Sequence, residues 1–293
     1  MADPITNAPG DTSDDANGYI PYDKRRLSYA NTFPHPGKRA VIRTMEWLTG
    51  KLRLLQLIRR FESEGVETGQ GFWPHALRVM GITLETPEDE FANIPKTGSV
   101  IVVANHPHGL VDGMILAELI GRVRTDYKIL TRSLLTGIPE IEQFMIPVPF
   151  PHEENAIQKS LEMRKTAMAH LTNGGVVVLF PSGSVASSKG WWGPAIEQDW
   201  NPFTAKMVVK SGAAVVPIHF PGANSRAYQI ANKISATMRQ GLLLHEVVHA
   251  LNRPQRPHIG KQFDPAEIEA RRSAPRELMD WMRSETMKLG APS

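Results

Sequence analysis

The sequence contains no cysteine among its 293 residues. This absence excludes disulfide bonds, thiol catalysis, iron–sulfur clusters and thiolate zinc sites. The glycine-rich loops Gly-x-Gly-x-x-Gly and Gly-x-x-x-x-Gly-Lys-Ser/Thr are also missing, which argues against nucleotide and dinucleotide sites. The stretch from Met1 to Gly18 has acidic residues but no Lys or Arg, the reverse of a secretory signal. We therefore expect a protein of the reducing cytoplasm.

Long apolar runs are absent as well. The longest, Val100 to Ala104 and Val176 to Phe180, are far shorter than the roughly 20 residues that a membrane-spanning helix needs. The formal net charge is only +3, so the charge gives no indication of a nucleic-acid partner. With 41% hydrophobic residues, the chain is long enough for one large domain or two small ones.

Composition divides the chain into three predicted regions. Residues 1–36 are rich in Asp, Asn, Pro and Gly and lack periodicity, which predicts a flexible N-terminal tail. Residues 37–90 are predicted to form amphipathic helices close to a membrane. Residues 91–293 are predicted to form an α/β domain.

The stretch from Lys38 to Phe61 shows helical periodicity with many basic residues. Apolar side chains recur every three or four positions at Val41, Met45, Leu48, Leu52, Leu55 and Ile58. A second short helix is predicted from Phe72 to Met80. Two interpretations stay open and are compatible: a helical hairpin packed on the core, or a device that inserts into anionic lipid. The second predicts a peripheral protein on the inner face of the cell membrane.

After Phe91 the chain alternates short β-branched runs with longer helical patterns. The predicted strands are Ser99–Ala104, Tyr127–Thr131, Val176–Phe180 and Ala214–Phe220. The predicted helices are Asp112–Arg122, Asn155–Thr172 and Phe203–Lys210, followed by a charged, exposed helix over Pro265–Leu289. This alternation predicts an α/β fold with a largely parallel, twisted sheet flanked by helices, preceded by the basic amphipathic segment.

The most informative segment, Asn105-His106-Pro107-His108-Gly109-Leu110-Val111-Asp112-Gly113, directly follows the first predicted strand. Ligand sites of α/β sheets lie at the carboxyl ends of strands. A carboxylate in the first turn of the next helix can orient one imidazole nitrogen and leave the other free as a base. A lone His in such a loop would more often serve structure, but strand, loop, helix and Asp occur together here.

These residues resemble the first motif of the lysophospholipid acyltransferases, the PlsC-like glycerolipid acyltransferase superfamily. Five residues separate His106 from Asp112, where the family usually has four. The form Asn-His-Pro-x-Gly-x-x-Asp-Gly resembles a bacterial branch that includes enzymes acylating lyso-aminolipids. Three later blocks follow in the family's order, around Leu130–Phe150, Phe180–Ser184 and Val215–Ile218.

The resemblance implies a catalytic pair, a set of substrate contacts and no metal ligand. His106 matches the family's base and Asp112 its partner, whereas His108 is the weaker candidate for the base. Implied substrate-binding residues are Asn105, His108, Gly109, Arg132, Pro181, Ser182, Gly183 and Arg226. The donor would be acyl-CoA or acyl-carrier protein, and no further cofactor is implied. Backbone N–H groups around Gly183 are expected to stabilise the oxyanion.

Departures from the family pattern favour one acceptor class. Ser182 stands where the family has Glu, and the Arg common after that motif is missing. Because phosphate recognition favours Arg forks, a lyso-aminolipid such as a lyso-ornithine-type lipid is preferred as acceptor over 1-acylglycerol-3-phosphate.

Three other functions remain as alternatives. The string His245-Glu246-Val247-Val248-His249 fits a zinc metalloprotease pattern, although no third ligand stands out. Ser182 raises the possibility of a serine hydrolase, but the Gly-x-Ser-x-Gly elbow is missing. A non-catalytic lipid-binding module is the third. Trp191 and Trp192 are expected to pack against the protein, with an acyl tunnel as the other interpretation.

Overall fold

A computed structural model describes residues 27–32, 35–131, 138–149 and 153–291 of the chain. Most of the predicted tail lies outside these residues, and its flexibility stays a prediction, as does the division into three regions. The helices are α1 (Pro36–Thr49), α2 (Lys51–Ser63), α3 (Phe72–Val79), α4 (Leu110–Gly121), α5 (Ala156–Thr172), α6 (Pro202–Ser211), α7 (Arg226–Ile234), α8 (Ala236–Gly241), α9 (Leu243–Ala250), α10 (Pro265–Ala270) and α11 (Pro275–Lys288).

The strands form one mixed sheet and a small hairpin. They are β1 (Val100–Ala104), β2 (Tyr127–Thr131), β3 (Met145–Pro147), β4 (Val176–Leu179), β5 (Ser187–Ser188), β6 (Ala195–Ile196), β7 (Ala214–His219) and β8 (His258–Ile259). The sheet has the order β3-β2-β4-β1-β7-β8, and its strands are parallel except for the edge strand β8. Strands β5 and β6 pair separately and antiparallel.

Strand β1 lies in the middle of the sheet and is buried on both faces. Val100, Val102 and Ala104 join a core cluster with residues of α3, α4 and α9. Ile101 and Val103 point to the other face and pack with residues of α5, α6 and α11. Alternation along a strand thus supplies two cores from one segment. The predicted α/β fold, with its largely parallel sheet covered on both faces, is confirmed.

Parallel pairing brings the carboxyl ends of β4, β1 and β7 to the same edge of the sheet. Val103 of β1 pairs with Leu179 of β4 and with Pro217 of β7. The next residues, Phe180 after β4 and Phe220 after β7, therefore flank the loop that follows Ala104. All four predicted strands are present, and their ends differ from the prediction by no more than one residue.

The single helix predicted over Lys38–Phe61 is wrong, because Gly50 separates α1 from α2. Gly50 has φ +151°, a conformation that side chains rarely adopt. A Cβ atom at this position would lie 2.7 Å from Cγ2 of Val248 in α9. Packing against a helix almost 200 residues further along the chain therefore requires glycine at the position where α1 ends.

The exposed helix predicted over Pro265–Leu289 is also wrong in two respects. The segment forms α10 and α11, with Ala274 as the residue before Pro275 at the start of α11. In addition, Leu278, Met279 and Met282 are fully buried in the second core cluster. The charged residues of α11 lie opposite these buried side chains, as in an amphipathic helix. The number of charges in the sequence therefore describes only the face of the helix that meets solvent.

None of the described helices is both long enough and apolar enough to cross a bilayer.

We predict that His219, near the end of β7, makes folding sensitive to acid. Its imidazole is buried, and burial together with the nearby His258 lowers its pKa to about 4. The unfolded chain binds this proton at higher pH than the folded protein does, so the free energy of unfolding decreases as the pH falls from about 6.5 towards 4. This group alone should lower it by about 2 kcal/mol between pH 7.5 and pH 5. Urea unfolding at both pH values should show a smaller difference for His219→Phe than for the wild type. Equal differences would contradict the assignment.

Candidate active site

The loop after β1 places two imidazoles on one buried carboxylate. Asp112 lies in the first turn of α4 and its side chain is 0% exposed. His106 Nδ1 lies 3.0 Å from Asp112 Oδ2, and His108 Nδ1 lies 2.9 Å from Asp112 Oδ1. The predicted contact between His106 and Asp112 is therefore present, and His108 makes an equivalent one.

Main-chain groups complete the environment of the Asp112 carboxylate. The N–H groups of His108 and Gly109 donate to Oδ2 over 2.8 and 3.1 Å. Burial alone would raise the pKa of Asp112, but the two histidines outweigh it and lower the pKa to about 2. An ionised carboxylate only accepts hydrogen bonds, so both imidazoles donate through Nδ1 and turn Nε2 away from Asp112.

Every polar group of His106 except Nε2 has a hydrogen-bond partner. Its ring stacks on Phe180, with 3.8 Å between ring centroids and 21° between planes. Its N–H donates to Glu197 Oε2 over 3.0 Å, and its carbonyl accepts from the N–H of Ala186 over 2.8 Å. Among the described residues, none forms a hydrogen bond with Nε2, and the side chain is 16% exposed. This nitrogen can therefore act as a base.

His108 has a different neighbour at its outer nitrogen. A Cβ atom at Gly222 would lie 3.0 Å from His108 Nε2, so only a glycine leaves this space clear. Burial lowers the pKa of His108, but the charge of Asp112 and the hydrogen bond to it outweigh burial and raise the pKa above its usual value. His108 is thus biased towards the protonated form, in which Nε2–H is a donor.

Glu197 belongs to this site although the sequence gives no sign of it. Besides the N–H of His106, its carboxylate accepts from Nε1 of Trp200 over 3.0 Å. Burial raises the pKa of Glu197, whereas these hydrogen bonds lower it in part. Glu197 follows the short strand β6, at no characteristic distance from the histidine motif, so only the fold brings the two together.

The side chain of Asn105 joins the ends of two neighbouring strands, β1 and β7. Its Nδ2 donates to the carbonyl of Phe220 over 2.8 Å, and its Oδ1 accepts from the N–H of Phe220 over 2.7 Å. This reciprocal pair fixes the start of the motif loop against the end of β7. In this geometry Asn105 positions the loop, and its predicted contact with a substrate stays a prediction.

The block after β4 forms a tight turn beside His106. Gly183 has φ +63°, and its N–H donates to the carbonyl of Phe180 over 2.9 Å. The carbonyl of Pro181 accepts from Asn201, and the hydroxyl of Ser182 donates to the carbonyl of Ser184. Of the backbone N–H groups around Gly183 that were expected as oxyanion donors, that of Gly183 itself is already used in the turn, and the role of the others stays a prediction.

The two arginines proposed as head-group contacts have different outcomes. Arg226 Nη1 donates to the carbonyls of Trp192 and Gly193, over 3.2 and 2.9 Å. Its guanidinium thus holds a loop of the protein. Arg132 lies outside the described residues, so its role stays a prediction.

The string from His245 to His249 lies on α9 and has structural partners. Glu246 accepts from the N–H and the hydroxyl of Ser225, over 2.7 and 2.6 Å. His245 Nδ1 lies 3.0 Å from the carbonyl of Thr49, and His249 Nε2 contacts Arg253. Within the described part of the chain, no three His, Cys, Asp or Glu side chains are grouped closely enough to hold a metal ion.

A family model described as an acyltransferase matches residues 59–273. Two lyso-glycine lipid O-acyltransferases are similar to the chain. The one from Phocaeicola vulgatus is 26% identical over 142 residues, 48% of either chain, and the one from Bacteroides thetaiotaomicron is 26% identical over 146 residues, 49% of this chain and 51% of the relative. The present chain therefore spans about half the length of the curated relatives that it matches.

A solved structure also aligns with the chain. The 1-acyl-sn-glycerophosphate (LPA) acyltransferase PlsC from Thermotoga maritima has 16% identity and a TM-score of 0.49, over 76% of this chain and 79% of its own. The family match spans the sheet, the motif loop and the surrounding helices, well over half of the sequence. The chain belongs to this acyltransferase family.

Proposed function

We propose that this protein transfers a fatty acyl group from a thioester to the hydroxyl of a lysolipid. The observation that carries the proposal is the His106 imidazole, oriented by the buried anion of Asp112 at the carboxyl ends of three parallel strands. The arrangement supplies a base and its orienting group. Membership of an acyltransferase family gives this base its reaction type.

In the proposed reaction His106 Nε2 takes the proton of the acceptor hydroxyl while the oxygen attacks the thioester carbonyl carbon. When the tetrahedral intermediate collapses, the C–S bond breaks and the C–O bond of the ester remains. The proton then passes from His106 to the leaving thiolate, so the products are an acylated lipid and a free thiol. No acyl-enzyme forms, and either acyl-CoA or acyl-carrier protein can serve as donor without a further cofactor.

His108 is the group that we expect to stabilise the oxyanion. The N–H of Gly183 already donates within its turn, whereas His108, when protonated, offers Nε2–H beside the space that Gly222 leaves. A positive charge held by Asp112 needs little rearrangement when negative charge develops on the thioester oxygen. The two imidazoles therefore divide the work, since His106 accepts a proton and His108 donates a hydrogen bond.

A lyso-aminolipid is the proposed acceptor. Two relatives are named for a lyso-glycine lipid. Ser182 takes the place of an acidic residue of the wider family and donates to the carbonyl of Ser184, while Nη1 of Arg226 is used by two backbone carbonyls, which argues against a two-armed phosphate contact from these residues. An assay with labelled acyl-CoA should therefore show transfer to a lyso-glycine or lyso-ornithine lipid in preference to 1-acylglycerol-3-phosphate.

We also place the reaction at the inner face of the cell membrane. Helix α1 buries Ile42 and Glu46 but exposes Val41, Trp47 and Leu48. The protein thus uses one side of the predicted amphipathic segment for packing and leaves apolar groups on the other, which is compatible with both earlier interpretations. The basic residues of α1 and α2 would add attraction to anionic lipid.

We expect His106→Ala to reduce kcat by about 10²- to 10⁴-fold, because the general base is lost. His108→Ala should reduce it by about 10²- to 10³-fold, the usual effect of removing one oxyanion donor. Turnover of labelled acyl-CoA with the preferred lysolipid measures both. His170→Ala, on α5, is the matched control, and circular dichroism should confirm that all variants fold. Near wild-type activity of His106→Ala would refute the proposed mechanism.

Glu197→Gln should lower kcat by about tenfold while leaving KM unchanged. The amide replaces one of two accepting oxygens by a donor, so a hydrogen bond to the His106 N–H or to Trp200 is lost and the base is less well positioned. Steady-state kinetics on the variant separate kcat from KM. Glu85→Gln, which removes an exposed carboxylate paired with Arg256, is the control. A rise in KM with unchanged kcat would show that Glu197 acts on substrate binding instead.

Leu48→Gln should weaken binding to vesicles of phosphatidylcholine and phosphatidylglycerol severalfold, because Leu48 is 81% exposed on α1. Co-sedimentation measures the effect. Removing the whole segment is a poorer test, since Trp73 and Leu77 of α3 belong to the core. Unchanged binding of Leu48→Gln would count against membrane contact through α1.

A further inference from the structure

Two adjacent tryptophans are exposed at the tip of the hairpin formed by β5 and β6. Trp191 is 54% exposed and Trp192 is 79% exposed. The expectation that they pack against the protein is therefore wrong. Large aromatic side chains usually gain considerable free energy from burial, so an exposed pair indicates a surface that is covered in some functional state.

The backbone of this tip is firmly tied to α7. Arg226 donates to the carbonyls of Trp192 and Gly193, and Lys233 donates to the carbonyl of Lys189. These bonds fix the turn while leaving both indoles outside. Both tryptophans therefore extend from a turn whose backbone is bonded to α7.

A second set of bonds anchors the hairpin at its base and pairs one further carbonyl of the tip. Ser188 donates through its hydroxyl to the carbonyl of Gly190 over 2.6 Å, and its N–H donates to Gln229 Oε1 over 2.8 Å. Backbone carbonyls that are already paired can enter a poorly hydrated layer at low cost. Pairing of four tip carbonyls, those of residues 189, 190, 192 and 193, thus favours insertion into the boundary between lipid and water.

The charged residue of the tip and the charged side chains that bond to its backbone are positive. Lys189 lies on it, and Arg226 and Lys233 support it from α7, while residues 189–196 contain no acidic residue. Tryptophan prefers the interfacial layer of a bilayer, where its ring is buried and its N–H stays hydrated. Cations beside it are attracted to anionic head groups. An anionic bilayer surface fits this combination of aromatic and basic groups.

The same excursion of the chain also holds the proposed base. Ala186, just before β5, donates to the carbonyl of His106, and Glu197, just after β6, accepts from its N–H. The two legs of the hairpin therefore end on the backbone of one catalytic residue. A tip fixed in a membrane would hold His106 at a constant height above the lipid.

We propose that residues 189–194 form a membrane anchor that inserts Trp191 and Trp192 into the interface of an anionic bilayer. The anchor sets the position of His106 relative to an acceptor embedded in that bilayer. This second statement rests on the proposed acyl transfer, whereas the insertion itself does not.

Insertion is tested with the full chain carrying Trp191→Ala and Trp192→Ala together. We expect its partition into vesicles of phosphatidylcholine and phosphatidylglycerol to fall by about tenfold or more. The matched control replaces Ile157 and Leu161 by Ala, an exposed apolar pair on α5 with 82% and 59% exposure. This control should bind like the wild type. Unchanged binding of the tryptophan variant, or an equal loss in the control, would overturn the proposal.

Measuring how deeply the tryptophans enter the bilayer adds a readout that non-specific adsorption to vesicles does not produce. In a Trp47→Phe background, brominated lipids should quench part of the tryptophan fluorescence when the tip is intact. This quenching should be absent when Trp191 and Trp192 are both replaced by Ala. Gel filtration without lipid should give the same elution volume for both proteins. A tip that is not quenched but changes the oligomeric state would identify a second copy of the chain as its partner and would overturn membrane insertion.

Activity with two forms of the acceptor separates the anchor from the reaction. The double variant should keep wild-type turnover of a short-chain lysolipid below its critical micelle concentration, and should lose about tenfold with the acceptor embedded in anionic vesicles. An equal loss in both assays would refute the link between anchor and acceptor. A wild-type protein that transfers no acyl group in either assay would refute the proposed function, while the vesicle results would still decide insertion.

Discussion

The buried carboxylate of Asp112 dictates the geometry of the whole motif loop. A negative charge removed from water is tolerable only if donors surround it, and here they all come from residues 106–109. The loop must therefore curl back over the first turn of α4, and glycine at position 109, with φ +79°, permits that path. Orientation of the two imidazoles follows directly from the need to neutralise this one anion.

The parallel sheet places the other parts of the site around that loop. Because β4, β1 and β7 are neighbours in register, Phe180 stacks on His106 and Phe220 pairs with Asn105. Helix α9 contributes through Glu246, which holds Ser225 and so fixes the far end of the segment that contains Gly222. The segment of residues 245–249, which resembles a protease motif, thus has a structural role. Through Glu246 it supports the residues that lie beside His108.

Much of the fold was predictable because the signals were local. The β-branched runs of β1, β2, β4 and β7 are short and buried, and their ends lie where composition changes. The contact between His106 and Asp112 was predictable for the same reason, since one strand, one loop and one helix turn determine it. Three residues separate His108 from Asp112 and five separate His106 from it, so spacing alone does not rank His108 below His106.

Other features depend on partners that are distant in sequence. A glycine within a helical pattern costs only about 1 kcal/mol, and the apolar periodicity of the sequence runs on through Gly50. The need for glycine there comes from the close contact with Val248 of α9, which the local sequence does not show. Glu197 reaches His106 only through the excursion between β4 and α6. Exposure of Trp191 and Trp192 depends in the same way on bonds from α7 that no local pattern encodes.

The restraints on His106 have a consequence for the order of events at the site. With its peptide N–H and carbonyl both bonded and its ring stacked on Phe180, the imidazole cannot swing between two separate partners. In the proposed reaction the alcohol and the thiolate would therefore meet the same nitrogen in turn. Protonation of the leaving thiolate would then depend on the atom that took the proton from the alcohol, which couples the two halves of the transfer.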